Sequence, residues 1–90
     1  MNQRIRELAE QAQDWADAHA PFASEEHVYF AEKFAVLIVK ECCQYLDNEA
    51  ERLFGLSESE EDPVFQSNFE ICAEKCYDNI QGLKEHFGVE

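Results

Sequence analysis

The sequence predicts an all-α fold in which two shorter helices flank a long central helix. Apolar residues recur at steps of three and four in three separate stretches, which is the period of a helix that buries one face. The 90 residues include three Gly and two Pro, a composition that suits long helices better than sheets. At this length we expect a single helical domain over residues 1–90.

The first predicted helix spans residues 1–19, with Asn2 as its candidate N-cap. Its apolar face is thin, because three of its six members are alanine, and Trp15 is the largest of them. A face of small residues predicts close packing against a neighbouring helix. The members of this face are Ile5, Leu8, Ala9, Ala12, Trp15 and Ala16.

The second predicted helix spans residues 25–54, with Ser24 as its N-cap and Gly55 as the residue that terminates it. Its apolar side chains cover about half of the circumference at about 100° per residue, and Leu37 lies at the polar edge of the arc. A three-helix domain needs one apolar stripe on such a helix. The surplus predicts a homo-oligomeric helical bundle, in which a second copy covers the other side. The arc comprises Val28, Phe30, Ala31, Phe34, Ala35, Ile38, Val39, Cys42, Tyr45, Leu46 and Leu53.

A loop is predicted over residues 56–62, followed by a third helix over residues 63–87. Asp62 before Pro63 is a strong start signal, and Gly88 can cap the end. The apolar stripe of this helix is narrow, as in a seam between two helices. It consists of Phe65, Phe69, Cys72, Cys76, Ile80, Leu83 and Phe87.

The four cysteines allow two interpretations. In an antiparallel hairpin about Ser59, Cys42 lies level with Cys76, so a thiol cluster that binds zinc or forms a disulfide is geometrically possible. However, the adjacent Cys42 and Cys43 point about 100° apart, and structural zinc sites usually use loop-borne pairs. We therefore expect the cysteines, including Cys72, to pack as core thiols, with no metal and no cofactor.

No signature of catalysis is present in the sequence. His19, His27 and His86 are scattered, and they form no carboxylate–histidine pattern of a hydrolytic metal site. Ser67 and the serines of 56–62 have no histidine nearby in sequence, and a Gly-rich phosphate loop is absent. We therefore expect a protein that is not an enzyme.

Acidic residues outnumber basic ones by 20 to seven, which gives a formal net charge of −13. Such a chain repels nucleic acids and anionic membranes and attracts basic partners, including nucleic-acid-binding surfaces. The acidic run at 58–62 is therefore a candidate partner-binding site, although a merely solvated loop would look similar. The predicted partner-binding residues are Glu58, Glu60, Glu61, Asp62 and Leu37.

Three stretches share a resemblance: residues 1–12, residues 30–42 (FAEKFAVLIVKEC) and the ending KEHFGVE at 84–90. They resemble a group of small proteins encoded by tailed bacteriophages, in which a segment close to RFAELIVRECA and an ending close to KxHFGVE recur. Val36 stands where that group usually has Glu, which adds one apolar residue to the central helix. The resemblance implies a phage accessory protein in the host bacterial cytoplasm and assigns no functional residue.

We therefore expect a phage accessory protein that binds and inhibits a host protein, such as one of defence, through its acidic surface. The alternative is an oligomeric sponge that sequesters a small signalling nucleotide at an interface between copies. The longest apolar run, 34–39, is too short to span a membrane, so we expect neither membrane nor direct nucleic-acid contact. The sponge would need converging basic residues, and those available are Arg4, Arg6, Lys33, Lys40 and Arg52.

Overall fold

A computed structural model describes residues 2–90 and shows three α-helices joined by short connections. The described residues contain no strand, so the all-α class is confirmed. They group into two compact units that divide between Lys40 and Glu41. The elements are α1 (Gln3–His19), a single 3-10 turn (Ala23–Glu25), α2 (Glu26–Ser59) and α3 (Pro63–Phe87).

Three predicted helix caps are confirmed. The Asn2 side chain accepts a hydrogen bond from the backbone N–H of Arg4 at 2.7 Å. The Asp62 carboxylate accepts one from the backbone N–H of Val64 at 2.9 Å, with proline at the first helical position. Gly88 ends α3 in the left-handed conformation, with φ of 66°. Glycine adopts this conformation without the steric cost that a side chain would add.

The predicted start of the second helix is correct to within one residue, but its predicted N-cap and its predicted end are wrong. Ser24 lies inside the 3-10 turn, which is preceded by extended backbone at Phe22, and α2 follows this turn directly. Gly55 lies inside α2, which continues to Ser59, so the predicted loop at 56–62 shrinks to residues 60–62. A glycine terminates a helix only where it turns into the left-handed region, and Gly88 is the one residue of the described chain that does so.

Ser57 explains why α2 extends past Gly55. Its side chain is 2% exposed. The hydroxyl donates toward the backbone carbonyl of Gln66 at 3.3 Å and the carboxylate of Glu70 at 3.1 Å. These bonds hold the last turn of α2 against α3. A glycine inside a helix costs about 1 kcal/mol relative to alanine, and the buried contacts of this turn offset that cost.

The first unit packs α1 against the beginning of α2. Leu8, Ala12 and Ala16 are buried at steps of four, as the thin apolar face predicts. Trp15 stacks on Tyr29 of α2 with ring centroids 5.8 Å apart. The Trp15 ring also stacks on His19 at 4.5 Å, and Lys33 Nζ lies 5.4 Å from its centroid. His19 Nδ1 lies 2.8 Å from the Trp15 carbonyl oxygen, so this histidine serves the end of its own helix.

The second unit packs the rest of α2 against α3 through small side chains. Cys43, Ala50 and Ser57 recur every seven residues on α2, and Ala73 is the buried residue of α3. The predicted stripe on α3 is therefore displaced toward Ala73, which lies about 100° around the helix from the exposed Cys72. Close approach of two helices favours small residues, whereas the sequence prediction gave weight to large apolar ones.

The described part of the chain buries few large side chains. The buried hydrophobic residues are one leucine, four alanines and one cysteine, and no large side chain in residues 2–90 is fully buried. By contrast, ten large hydrophobic side chains in the same residues are exposed. The protein thus keeps much of its apolar surface available for contacts beyond its own two units.

Candidate docking surface

The acidic strip, which comprises Glu58, Glu60, Glu61 and Asp62, joins α2 to α3. Glu58 lies in the last turn of α2, Glu60 and Glu61 form the connection, and Asp62 caps α3. Three of the four are exposed, and Glu60 is half-buried. The strip is thus a helix end, a short turn and a helix start, rather than the extended loop that the sequence predicts.

Two members of the acidic strip also support the turn. Glu60 Oε1 accepts a hydrogen bond from the backbone N–H of Asp62 at 3.1 Å, and the Asp62 carboxylate caps α3. Glu58 and Glu61 make no such contact in residues 2–90. No Lys, Arg or His of the described chain forms an ion pair with any of the four. The strip therefore presents four carboxylates without a cationic partner in the described residues, at one end of the second unit.

An apolar patch lies on α3 directly after the acidic strip and comprises Val64, Phe65, Ile71 and Cys72. The exposed fractions of Val64, Phe65 and Ile71 are 66%, 55% and 53%, and Cys72 is also exposed. A separation of seven residues places side chains on one face of a helix. Val64 with Ile71, and Phe65 with Cys72, therefore form two parallel rows, and the exposed Asn68 and Lys75 lie between these rows.

Val64 and Ile71 were not among the residues predicted to form a binding surface. Both lie outside the stripe that was assigned to the helix seam. The available signal was their separation of seven residues, which repeats the separation of Phe65 and Cys72. Two such rows on one helix exceed what a single buried seam requires.

Leu37, the fifth predicted partner-binding residue, lies in a different unit from the acidic strip. It belongs to the first unit, whereas the strip belongs to the second. Its side chain is half-buried, within a run of half-buried residues at 36–39. Leu37 is therefore a poor probe of an exposed surface, because its replacement would also disturb packing inside the chain.

Three of the five basic residues of the sponge hypothesis already have partners. Arg4 pairs with Glu7 at 3.1 Å, and Lys33 lies over an aromatic ring. Arg52 donates two hydrogen bonds to the Glu49 carboxylate. That guanidinium lowers the pKa of the Glu49 carboxyl below its ordinary value, and the carboxylate in turn raises the pKa of Arg52.

The structure does not bring the five basic residues to a described cavity. Arg6 and Lys40 are exposed and belong to the first unit, together with Arg4 and Lys33, whereas Arg52 belongs to the second. None of the five lines the surface depressions beside the 3-10 turn and along the C-terminal half of α3. A nucleotide site at an interface between copies stays a prediction.

All four cysteines are free thiols, and their burial differs from the prediction. Cys43 is buried and Cys76 half-buried, but Cys42 and Cys72 are exposed. The expectation that Cys72 belongs to the core is therefore wrong. Cys43 is buried because it lies on the face of α2 that packs against α3. The predicted arc of large apolar side chains lies one residue away from this position.

The predicted alignment of Cys42 with Cys76 is also wrong. Ser57 contacts Gln66 and Glu70, which shifts the register of α3 relative to a hairpin centred on Ser59. Because α2 extends one turn further, Cys42 aligns with the end of α3. At 1.5 Å per residue, this alignment separates Cys42 from Cys76 by about 10 Å along the helices.

Further observations bear on metals, membranes and relatives. In residues 2–90, no group of three or more His, Cys, Asp or Glu side chains could hold a metal ion. Within the same residues, no helix is both long enough and apolar enough to cross a bilayer. The chain matches no protein-family model, no curated protein sequence and no solved structure.

Proposed function

We propose that the chain is a non-enzymatic phage accessory protein that docks its acidic surface onto a basic host protein and inhibits it. The acidic strip is the observation that supports this proposal best. Its four carboxylates lie within five residues and lack cationic partners in the described chain. A basic host protein, such as one of defence, would supply positive charges that pair with these carboxylates. In this proposal the host protein is bound and is not chemically modified.

The net charge of −13 sets how such a complex would form. Complementary charge mainly raises the rate of association, because the partner is attracted before contact. At physiological salt the Debye length is about 8 Å, so exposed charges act only over short distances. The acidic strip would therefore steer the encounter, while apolar contact would supply most of the lasting affinity.

Homo-oligomer formation is part of the same proposal. It is supported by the absence of any fully buried large side chain in residues 2–90 and by the ten exposed large hydrophobic side chains. Tyr45, which lies on the apolar arc of α2, is 73% exposed. Light scattering on the wild type and on Tyr45→Glu tests this part. We expect an oligomer that Tyr45→Glu weakens, and a wild type that is monomeric at micromolar concentration would contradict it.

The docking proposal is tested by neutralising the acidic strip without removing its caps. The strip variant combines Glu58→Gln, Glu60→Gln, Glu61→Gln and Asp62→Asn. Asparagine is as good an N-cap as aspartate, and Gln retains an oxygen acceptor at position 60. A control variant neutralises four exposed carboxylates elsewhere that make no hydrogen bond in the described chain. These are Glu10, Asp14, Glu32 and Glu51.

The readout is association with a partner captured from lysate of the bacterial host and then purified. We expect the strip variant to associate about tenfold more slowly at low salt, with a smaller change in the control variant. Equal rates in the two variants would contradict docking through the strip. If Arg4→Ala, Arg6→Ala or Lys40→Ala instead abolished binding of a small nucleotide that the strip variant retained, the sponge hypothesis would be favoured.

A further inference from the structure

We propose that α3 pairs with α3 of a second copy in antiparallel orientation, through a stripe on the side of the helix opposite the buried Ala73. The inference rests on the proposed function, because homo-oligomer formation belongs to it, and it assigns the interface to named residues. The outer stripe has the alternating four- and three-residue spacing of a seam between two helices, and all its members are exposed. It comprises Val64, Asn68, Ile71, Lys75, Asp78, Gly82 and Glu85.

Gly82 leaves an open position in the outer stripe. In residues 2–90, a Cβ at Gly82 would meet no atom within 4 Å beyond its chain neighbours and the nearby backbone of its own helix. Asp78, Gly82 and His86 are among the residues that line a surface depression at this point. A glycine inside a helix lowers the stability of that helix, and no close contact within the described chain requires one here. The open position can instead accept a side chain from another molecule.

One antiparallel register fills the open position and also pairs unlike charges. In this register Lys75 lies opposite Asp78 of the second copy, and two-fold symmetry repeats the pair. Ile71 precedes Lys75 by four residues and Gly82 follows Asp78 by four, so Ile71 lies opposite Gly82 of the second copy. The Ile71 side chain is 53% exposed, and in this register it enters the depression that the glycine leaves.

The other residues of this face are compatible with the same register. Three further pairs lie about level with each other across the two helices, one in the outer stripe and two beside it. They combine an amide with a carboxylate or two aromatic rings, and none brings two like charges together. The pairs are Asn68 with Glu85, Phe65 with His86, and Glu74 with Gln81.

Other arrangements of two α3 helices lose these contacts. A parallel pair places Lys75 opposite Lys75 and Asp78 opposite Asp78, and like charges across an interface oppose association. A shift of the antiparallel pair by seven residues places either Lys75 opposite Ile71 or Asp78 opposite Gly82. A lysine or asparagine within such a seam commonly specifies register and orientation. The outer stripe is thus complementary to itself in one orientation.

The antiparallel arrangement also keeps the acidic strips of the two copies apart. Asp62 caps the beginning of α3, so each acidic strip lies beyond the far end of α3 of the other copy. At 1.5 Å per residue, the two strips are separated by roughly 45 Å along the helices. The Debye length at physiological salt is only about 8 Å. Repulsion between the strips is therefore screened, and both strips stay free for a host protein.

Charge exchange at the central pair tests the inference on the full chain. Lys75→Asp and Asp78→Lys each place like charges opposite each other, so each variant alone should self-associate at least about tenfold more weakly than the wild type. An equimolar mixture of the two variants restores both ion pairs and should associate about as tightly as the wild type. Sedimentation velocity over a concentration series measures the dissociation constants. Lys40→Asp and Asp14→Lys make the same charge changes at exposed residues of the first unit and are the matched controls.

A substitution at Ile71 tests the contact with Gly82. Ile71→Ser should weaken self-association by about tenfold, because burial of one such side chain is worth at least one decade in affinity. Ile5→Ser, at an exposed isoleucine of α1, is the control and should leave self-association unchanged.

Two results would overturn the inference. One is self-association of both charge variants as tight as that of the wild type, which is also what a parallel pair predicts, since its like charges already face each other. The other is a mixture of the two variants that associates no more tightly than each variant does alone.

The same measurements separate this inference from the proposed function. If Tyr45→Glu weakens the oligomer while the charge variants do not, oligomer formation stands and the α3 interface is refuted. If the charge variants weaken it and Tyr45→Glu does not, the interface lies on α3 and the contribution of Tyr45 fails. A wild type that is monomeric at micromolar concentration overturns the inference. Association of the strip variant with a captured host protein is measured independently of all these outcomes.

Discussion

Replacement of Ala73 by leucine tests whether close approach of α2 and α3 stabilises the second unit. Ala73 and Ala50 are both completely buried, and the seam of α2 continues through Cys43 and Ser57. Three additional carbon atoms would contribute about 2 kcal/mol if they could be buried without strain. At a seam of small residues they must instead displace α2, and overpacking of this kind costs about 1–3 kcal/mol.

We therefore expect Ala73→Leu to lower the free energy of unfolding by about 1–3 kcal/mol. Urea unfolding followed by circular dichroism at 222 nm measures this change. Ala18→Leu, at an exposed position of α1, is the control and should change stability by less than about 0.5 kcal/mol. A variant at Ala73 that is as stable as the wild type, or more stable, would refute the close packing of α2 and α3.

Three further predictions concern single side chains. Cys43→Ser buries a hydroxyl and should lower the free energy of unfolding in urea by about 1–3 kcal/mol. Cys72→Ser should lower it by less than about 0.5 kcal/mol. Equal losses of stability in the two variants would contradict the different burial of the two cysteines. Asp62→Ala removes the N-cap of α3 and should lower the free energy of unfolding by about 1 kcal/mol, whereas Asp62→Asn should leave it unchanged. Thermal unfolding of the two variants measures this difference, and equal stabilities would contradict the capping role. Arg52→Gln should raise the pKa of Glu49 toward its ordinary value, which carbon NMR titration measures, and an unchanged pKa would disprove the pair. Because the folded-state pKa is lowered, the stabilisation by Glu49 is present above its ordinary pKa and is lost as pH falls through the lowered value.

Local signals predicted the features that depend only on neighbouring residues. Asn2, Asp62 and Gly88 cap their helices as expected, because each cap is decided within one turn of chain. Gly55 shows where such signals end. Its role depends on Ser57, which gains its hydrogen bonds only after α3 folds back on α2. No property of residues 50–60 alone contains that information.

The candidate surface was predicted in part for the same reason. The acidic strip is visible in the sequence because its charges are contiguous. The apolar patch is not, because it required knowing that Ala73, rather than Cys72, faces α2. A shift of one residue rotates the buried stripe by about 100°. This rotation places Cys72, which was predicted to be buried, on the surface beside the exposed Ile71.

The division of the chain at Lys40 has a consequence for its synthesis. Each unit consists of helices that are adjacent in sequence, so their contacts close only short loops. Helical arrangements with such local contacts fold within microseconds to milliseconds. A ribosome adds about 5–20 residues per second, and the 50 residues after Lys40 therefore take seconds to emerge. The contacts between α1 and the beginning of α2 can thus form before α3 has left the ribosome.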